Sequence, residues 1–174
     1  MERKIKDTPP RLPVVFQNYD SPLYLITFNT LLRRPLLACD EVHRAFRDYA
    51  ERGFSFHIAV GRYVLMPDHI HVLLTPAPEI ALERAVQFIK GGFSYRLRKM
   101  ENFQVWQESF TNHRIRDADD YQRHCEYVRM NPVRAKLVRE AMEYSYSSAN
   151  PAFGEIDAPA GAKARAQTIQ LTRP

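Results

Sequence analysis

No run of apolar residues in this chain approaches the roughly 18 to 20 needed to cross a bilayer, so no membrane-spanning helix is expected. The N-terminal stretch MERKIKDTPPRLP is charged but has no apolar segment after it. No secretory signal is therefore expected, and the cytosol is the default location. Cysteine is scarce. Cys39 and Cys125 are the two present, and with no paired spacing they exclude a disulfide framework and a CxxC zinc site. No internal repeat is visible, which excludes solenoid and propeller architectures.

What is present is ordinary for a globular protein: 174 residues, 45% hydrophobic and 26% charged, enough for one domain with its own core. The formal net charge of +5 suggests a polyanionic partner, but many unrelated proteins share it, and the positives can equally be solvated helix faces. Position says more than the sum. The positives gather at Arg33-Arg34, around Lys90, Arg96, Arg98 and Lys99, at Arg114 and Arg116, and between Arg129 and Arg139.

Residues 1–20 are rich in proline and alternating charge and read as an irregular arm. Residues 23–30 (LYLITFNT) read as a strand. Asp40 is a plausible N-cap for a helix to about Arg52, with Gly53 closing it. Residues 54–66 (FSFHIAVGRYVLM) and 69–75 (HIHVLLT) flank a Pro67-Asp68 turn and read as a β-hairpin, with Gly61 marking a bulge. Helical spacing runs from Ile80 to about Met100, where Gly91-Gly92 implies a kink or a close backbone contact. Residues 103–106 are expected as the last strand. A final helix, started by Asp117 or Asp119, is expected to stop before Pro132. The order β-α-β-β-α-β plus a helix predicts an α+β fold: a ferredoxin-like (split βαβ) antiparallel sheet, helices on one face, spanning residues 21–150. Residues 151–174 form an Ala/Pro-rich tail.

Two constellations carry chemistry. On a strand His69 and His71 project to one face while Ile70 and Val72 point to the other, so two imidazoles stand together as half a divalent-metal site. The bland alternative is a pair of half-buried structural histidines. On the last helix Tyr127 and Asn131 lie one turn apart. The Asn131 amide oxygen suits Mg²⁺ or Mn²⁺. Two imidazoles and an amide oxygen would leave positions open for a phosphate, beside which Tyr127 could act as nucleophile. Otherwise Tyr127 is an aromatic anchor and Asn131 a cap before Pro132. Cys125 reads as a small buried hydrophobe, and His57 and His113 as structural. Trp106, with Phe103 and Phe110, reads as core or site wall. For phosphate contact the candidate cations are Lys90, Arg96, Arg98, Lys99, Arg134 and Lys136.

The segment YVLMPDHIHVLL (63–74) resembles the histidine-hydrophobe-histidine (HUH) segment of single-tyrosine transposases. WQESF (106–110), HRIRD (113–117), DYQRHCEYVRMNPVRAKLV (120–138) and YSYSSA (144–149) follow in the order seen in REP-associated tyrosine transposases. The resemblance implies an HUH-type ferredoxin-like domain with His69 and His71 as metal ligands, Asn131 as the third, polar ligand and Tyr127 as nucleophile. Asp68 would orient an imidazole. It also implies a bacterial, nucleoid-associated protein that uses Mg²⁺ or Mn²⁺. Such a protein would cut single-stranded DNA near a hairpin (REP-like or an insertion-sequence end) through a 5′-phosphotyrosine link, as monomer or homodimer. Lys136 departs from the pattern, standing where glycine is commoner, and Tyr144 replaces a Trp-type position. Two alternatives stay open: a domesticated protein that binds hairpin DNA without cutting it, and a metal-dependent nuclease whose nucleophile is water.

Overall fold

The computed structural model describes residues 22–101 and 104–153. The arm expected at residues 1–20, Phe103 and the tail beyond residue 153 lie outside the described residues. The elements run β1 (Tyr24–Asn29), α1 (Asp40–Gly53), β2 (Ile58–Leu65), β3 (His69–Pro76), α2 (Leu82–Glu101), β4 (Thr111–Arg114) and α3 (Ala118–Arg134). The sheet order is β2-β3-β1-β4, with each neighbouring pair antiparallel. This is the split βαβ arrangement the element order predicts.

Strand alternation divides the interior in two. Ile26, Phe28, Ile70, Val72 and Leu74 face α1 and α2, meeting Val42, Phe46, Val86 and Ile89 in the larger core. Each such large side chain, fully buried, contributes about 1.5–3 kcal/mol. The opposite face carries Leu23, Leu25, Val64 and Leu73 against Cys125 and Val128 of α3, with Ile115 and Tyr144. The two helices of the βαβ units thus share one face as expected, and the further helix α3 takes the other. Cys125 is the buried hydrophobe foreseen.

Several local expectations are corrected. The last strand is Thr111–Arg114, in register with β1 from Tyr24↔Arg114 to Thr27↔Thr111, and not residues 103–106. The aromatic character of 103–106 serves packing instead. Trp106 makes only an isolated bridge to Thr30, while its ring meets Phe28 edge-on at 5.0 Å and its Nε1 donates to Ser94 Oγ. Helix α3 runs through Pro132 to Arg134, because a proline this close to the end removes a single ladder bond. Its N-cap is Asp117, whose side chain accepts from the Asp120 N–H at 2.7 Å.

The N-cap of α1 is Cys39, one residue before the expected Asp40. Gly53 stays helical (φ −49°); a Cβ there would come 2.8 Å from the Ile58 carbonyl oxygen, and the left-handed residue is His57 (φ 60°). A 3-10 turn at Phe54–Phe56 delays β2 to Ile58. Gly61 does lie in a bulge, where the β2–β3 register shifts between Val60 and Tyr63. Gly92 supplies the expected close approach, since a Cβ there would strike the Tyr49 ring.

The outer edge of β2 is lined by residues 144–148. Leu65 N donates to the Tyr146 carbonyl (2.9 Å), Ser148 N to the Tyr63 carbonyl (3.0 Å), and Tyr144 Oη to the Leu65 carbonyl (2.8 Å). Val64 bridges Ser147.

Candidate active site

The register places the polar residues of β1 and β3 opposite each other on the α3 side. Thr27 pairs with His71 and Asn29 with His69. His71 is 5% exposed and its Nδ1 lies 2.6 Å from Thr27 Oγ1. Burial, aided by the charges of His69 and Arg33, pushes its pKa down to about 3, so the imidazole is neutral at physiological pH. His69 Nδ1 lies 2.6 Å from Asp68 Oδ1, and Asp68 Oδ2 is 2.8 Å from Arg33 Nε. Both rings thus have Nδ1 engaged, leaving Nε2 as the nitrogen available to a ligand.

Helix α3 crosses this face with Tyr121, Cys125, Val128 and Pro132 turned inward. The flank beside that stripe carries His124, Tyr127, Asn131 and Arg134. Tyr127 is 37% exposed; its Oη stands 3.4 Å from His71 Nε2, its ring edge-on to the imidazole at 5.0 Å. The Arg134 guanidinium lies over the same phenol ring, 5.5 Å from its centroid. A cleft of about 780 Å³ opens here, lined by Leu25, Thr27, Gln122, Arg123, His124 and Tyr127 among others.

Asn131 is half-buried, one turn beyond Tyr127, and its side chain makes no hydrogen bond among the described residues. Lys136 is exposed just past the helix. Lys90 projects on the other side of the sheet, over the Phe28 ring, where its ammonium donates to the Gln107 carbonyl (3.0 Å). Arg96, Arg98 and Lys99 belong to α2, their side chains outside the described residues.

Two sets of side chains offer metal-binding atoms. The His69 and His71 rings are 4.8 Å apart at 82°, edge-on to one another. His113, Asp120 and His124 also bring ligand atoms within 4.8 Å of one another. Those two imidazoles, however, are stacked at 4.3 Å and 19°, and near-parallel planes do not share an in-plane ion. Asp120 is a hydrogen-bond hub. Burial alone would raise its pKa, but bonds from Arg116, His113 and Arg123 hold the carboxylate far below its ordinary range. It ties β4 to the first turn of α3, with His113 Nε2 at 3.0 Å from its Oδ2.

The sequence singled out His69, His71, Tyr127 and Asp68, which the fold brings together on one face, but did not mark Thr27, Asn29, Arg33 and Gln107 beside them. Alternation on β1 puts Thr27 and Asn29 on one face, and that polar pair was the available signal.

A ferredoxin-like sheet whose paired histidines face a tyrosine on a helix defines the HUH, single-tyrosine class. The chain belongs to the family described as "Transposase IS200 like", which matches residues 22–131 and is metal-dependent in general. It is 28% identical over 90 residues to the REP-associated tyrosine transposase of Escherichia coli, covering 51% of this chain and 53% of that protein. A Haemophilus influenzae protein is 29% identical over 96 residues, 48% of this chain and 54% of that one. The chain thus spans about half the length of the curated relatives it matches. Its fold is similar to that of a REP-associated tyrosine transposase solved with a REP hairpin, at a TM-score of 0.62 and 22% identity over 78% of this chain and 84% of the other. Among the described residues no helix is long and apolar enough to cross a membrane.

Proposed function

We propose that the protein is a metal-dependent tyrosine transposase that nicks and rejoins single-stranded DNA beside a hairpin. The observation that carries this reading is the 3.4 Å approach of Tyr127 Oη to His71 Nε2. It sets a nucleophile against the neutral imidazole of His71.

The donor set fits a divalent cation, Mg²⁺ or Mn²⁺, with His69 and His71 as imidazole ligands and Asn131 as the amide oxygen. When bound, the cation supplies Lewis-acid polarisation of the scissile phosphate. The remaining work falls to the chain. Tyr127 Oη attacks phosphorus and loses its proton to solvent; the P–O3′ bond breaks and the departing oxygen takes up a proton. The products are a 5′-phosphotyrosine and a free 3′-OH, and attack by that hydroxyl reverses the step. Arg134 offers positive charge beside the phenol and the phosphate. Arg134 and Lys136 stand near the DNA path, and Arg96, Arg98 and Lys99 remain candidates for it. Lys90 is tied to a carbonyl on the other face. The hairpin partner is supported by the REP hairpin bound in the similar structure.

An end-labelled hairpin oligonucleotide with a single-stranded flank, incubated with Mn²⁺ or Mg²⁺, tests the reading. A denaturant-resistant adduct is expected with the wild type and none with Tyr127→Phe. Cleavage persisting in Tyr127→Phe would transfer the attack to water, and binding with no cleavage under any metal would make the protein a non-cutting hairpin binder.

A further inference from the structure

A chain of side chains runs from the WQESF segment to His69, and the proposed chemistry leaves most of it unused. Asn29 Nδ2 donates to Gln107 Oε1 at 3.2 Å, and the other end of that amide accepts from Arg33. The Gln107 N–H also donates to the Asn29 carbonyl at 3.0 Å, so the two residues are joined by backbone as well as side chain. Arg33 reaches Asp68 Oδ2 through Nε at 2.8 Å, and Asp68 Oδ1 meets His69 Nδ1 at 2.6 Å. Asn29 lies directly opposite His69 in the register, which is why a side chain four residues further on can close the circuit.

The turn that aims Arg33 is strained. Leu32 and Arg33 are consecutive left-handed residues at φ 58° and 56°, a region L side chains rarely occupy. Burial does not explain it, because Leu32 is 79% exposed. What the turn achieves is direction. It is stitched to Asp68, whose carbonyl accepts from both the Thr30 N–H (2.9 Å) and the Thr30 hydroxyl (3.0 Å). It delivers a forked guanidinium to the Asp68 carboxylate and the Asn29 amide together.

We propose that Arg33 is a positioning residue: braced through Asn29 by Gln107, it fixes the Asp68 carboxylate, which in turn fixes the His69 ring with Nδ1 engaged and Nε2 free for the cation. This rests on the reading of His69 and His71 as a metal face. A carboxylate that shares one oxygen with an imidazole and the other with a braced guanidinium has no second rotamer that keeps both bonds. The imidazole inherits that rigidity.

The test is Mn²⁺ affinity of the full chain by calorimetry, with no DNA present. Arg33→Gly is the informative variant, since glycine is at ease at φ 56° and removes only the side chain. Its melting temperature is expected to match or exceed that of the wild type, while Mn²⁺ binding weakens about 10- to 100-fold. Nitrogen NMR of His69 should show one ring tautomer in the wild type and a mixture in the variant. Arg33→Lys, which keeps charge and backbone but loses the fork, should fall between. Arg33 Nη2 also comes within 3.5 Å of His69 Nδ1, too long to compete with the 2.6 Å bond from Asp68, so Arg33→Gly should add little to Asp68→Asn. Undiminished Mn²⁺ affinity in Arg33→Gly, or losses that sum in the double variant, would overturn the proposal and leave the metal face intact. Wild-type Mn²⁺ binding that survives His69→Ala and His71→Ala would instead overturn the metal face itself, and this proposal with it.

Discussion

Thr27 Oγ1 lies 2.6 Å from His71 Nδ1, on the residue directly opposite it in the β1–β3 register. The hydroxyl decides which nitrogen of a buried ring stays available, so Thr27→Val, nearly the same shape, leaves Nδ1 orphaned. We expect Mn²⁺ affinity to drop about 10- to 100-fold, read by calorimetry. Stability should fall by about 1–3 kcal/mol on chemical denaturation. Unchanged metal affinity would show that the ring is held by packing alone.

Helix α2 carries two adjacent glycines with opposite expectations. A Cβ at Gly91 meets open space, so Gly91→Ala should stabilise by about 0.5–1 kcal/mol through helix propensity. At Gly92 the added carbon collides with the Tyr49 ring, and Gly92→Ala should cost about 1–3 kcal/mol. Thermal melts of the two variants should move in opposite directions.

The pH dependence of stability centres on His43. Its Nε2 lies 2.8 Å from the Tyr63 hydroxyl, which Arg47 also contacts at 2.9 Å. Burial first and Arg47 second push the imidazole down to about 4, against a small opposing pull from Asp40. The folded protein therefore keeps His43 neutral where the unfolded chain, at about 6.5, has taken up a proton. Stability should fall as pH drops from about 6.5 towards 4, with a limiting slope near 1.4 kcal/mol per pH unit for this one group. His71 acts in the same direction, so the measurement is the difference between wild type and His43→Gln in urea titrations across that window. Parallel curves would refute the assignment.

Lys136 closes α3 in the left-handed conformation, at φ 59°. Its N–H donates to the Val133 carbonyl and the Leu137 N–H to the Pro132 carbonyl, both at 2.9 Å, which is the Schellman pattern that glycine favours. Lys136→Gly should raise stability by about 1 kcal/mol. If the ammonium contacts phosphate, the same change should weaken hairpin binding and reduce its salt dependence by about one ion. A rise in melting temperature with an unchanged salt slope would remove Lys136 from the DNA path.

The sequence was most readable where one periodicity dominated. The alternation through Ile70, Val72 and Leu74 placed His69 and His71 on the other face, and helical spacing located α1 and α2. It misled where side-chain type and role diverged. Trp106 and its neighbours look like a strand but fill a core, while the polar Thr111–Arg114 pairs with β1 as the edge strand. Pro132 looks like a stop, but near a C-terminus it costs little. Asn29 and Arg33 meet locally, but the site they join was not legible because its other halves lie far along the chain: 44 positions from Thr27 to His71, 36 from Arg33 to His69 and 78 from Asn29 to Gln107.

The segment that lines β2 has a consequence for assembly. With the Tyr63 and Leu65 backbone groups already matched to residues 146 and 148, the Tyr63–Leu65 end of that border is closed to an incoming chain. Among the described residues the opposite border is β4, four polar residues long. A second copy joining by strand addition at β4 would align beside Asp120 and the start of the helix that bears Tyr127. Any dimer built that way would connect its interface mechanically to the nucleophile's own helix.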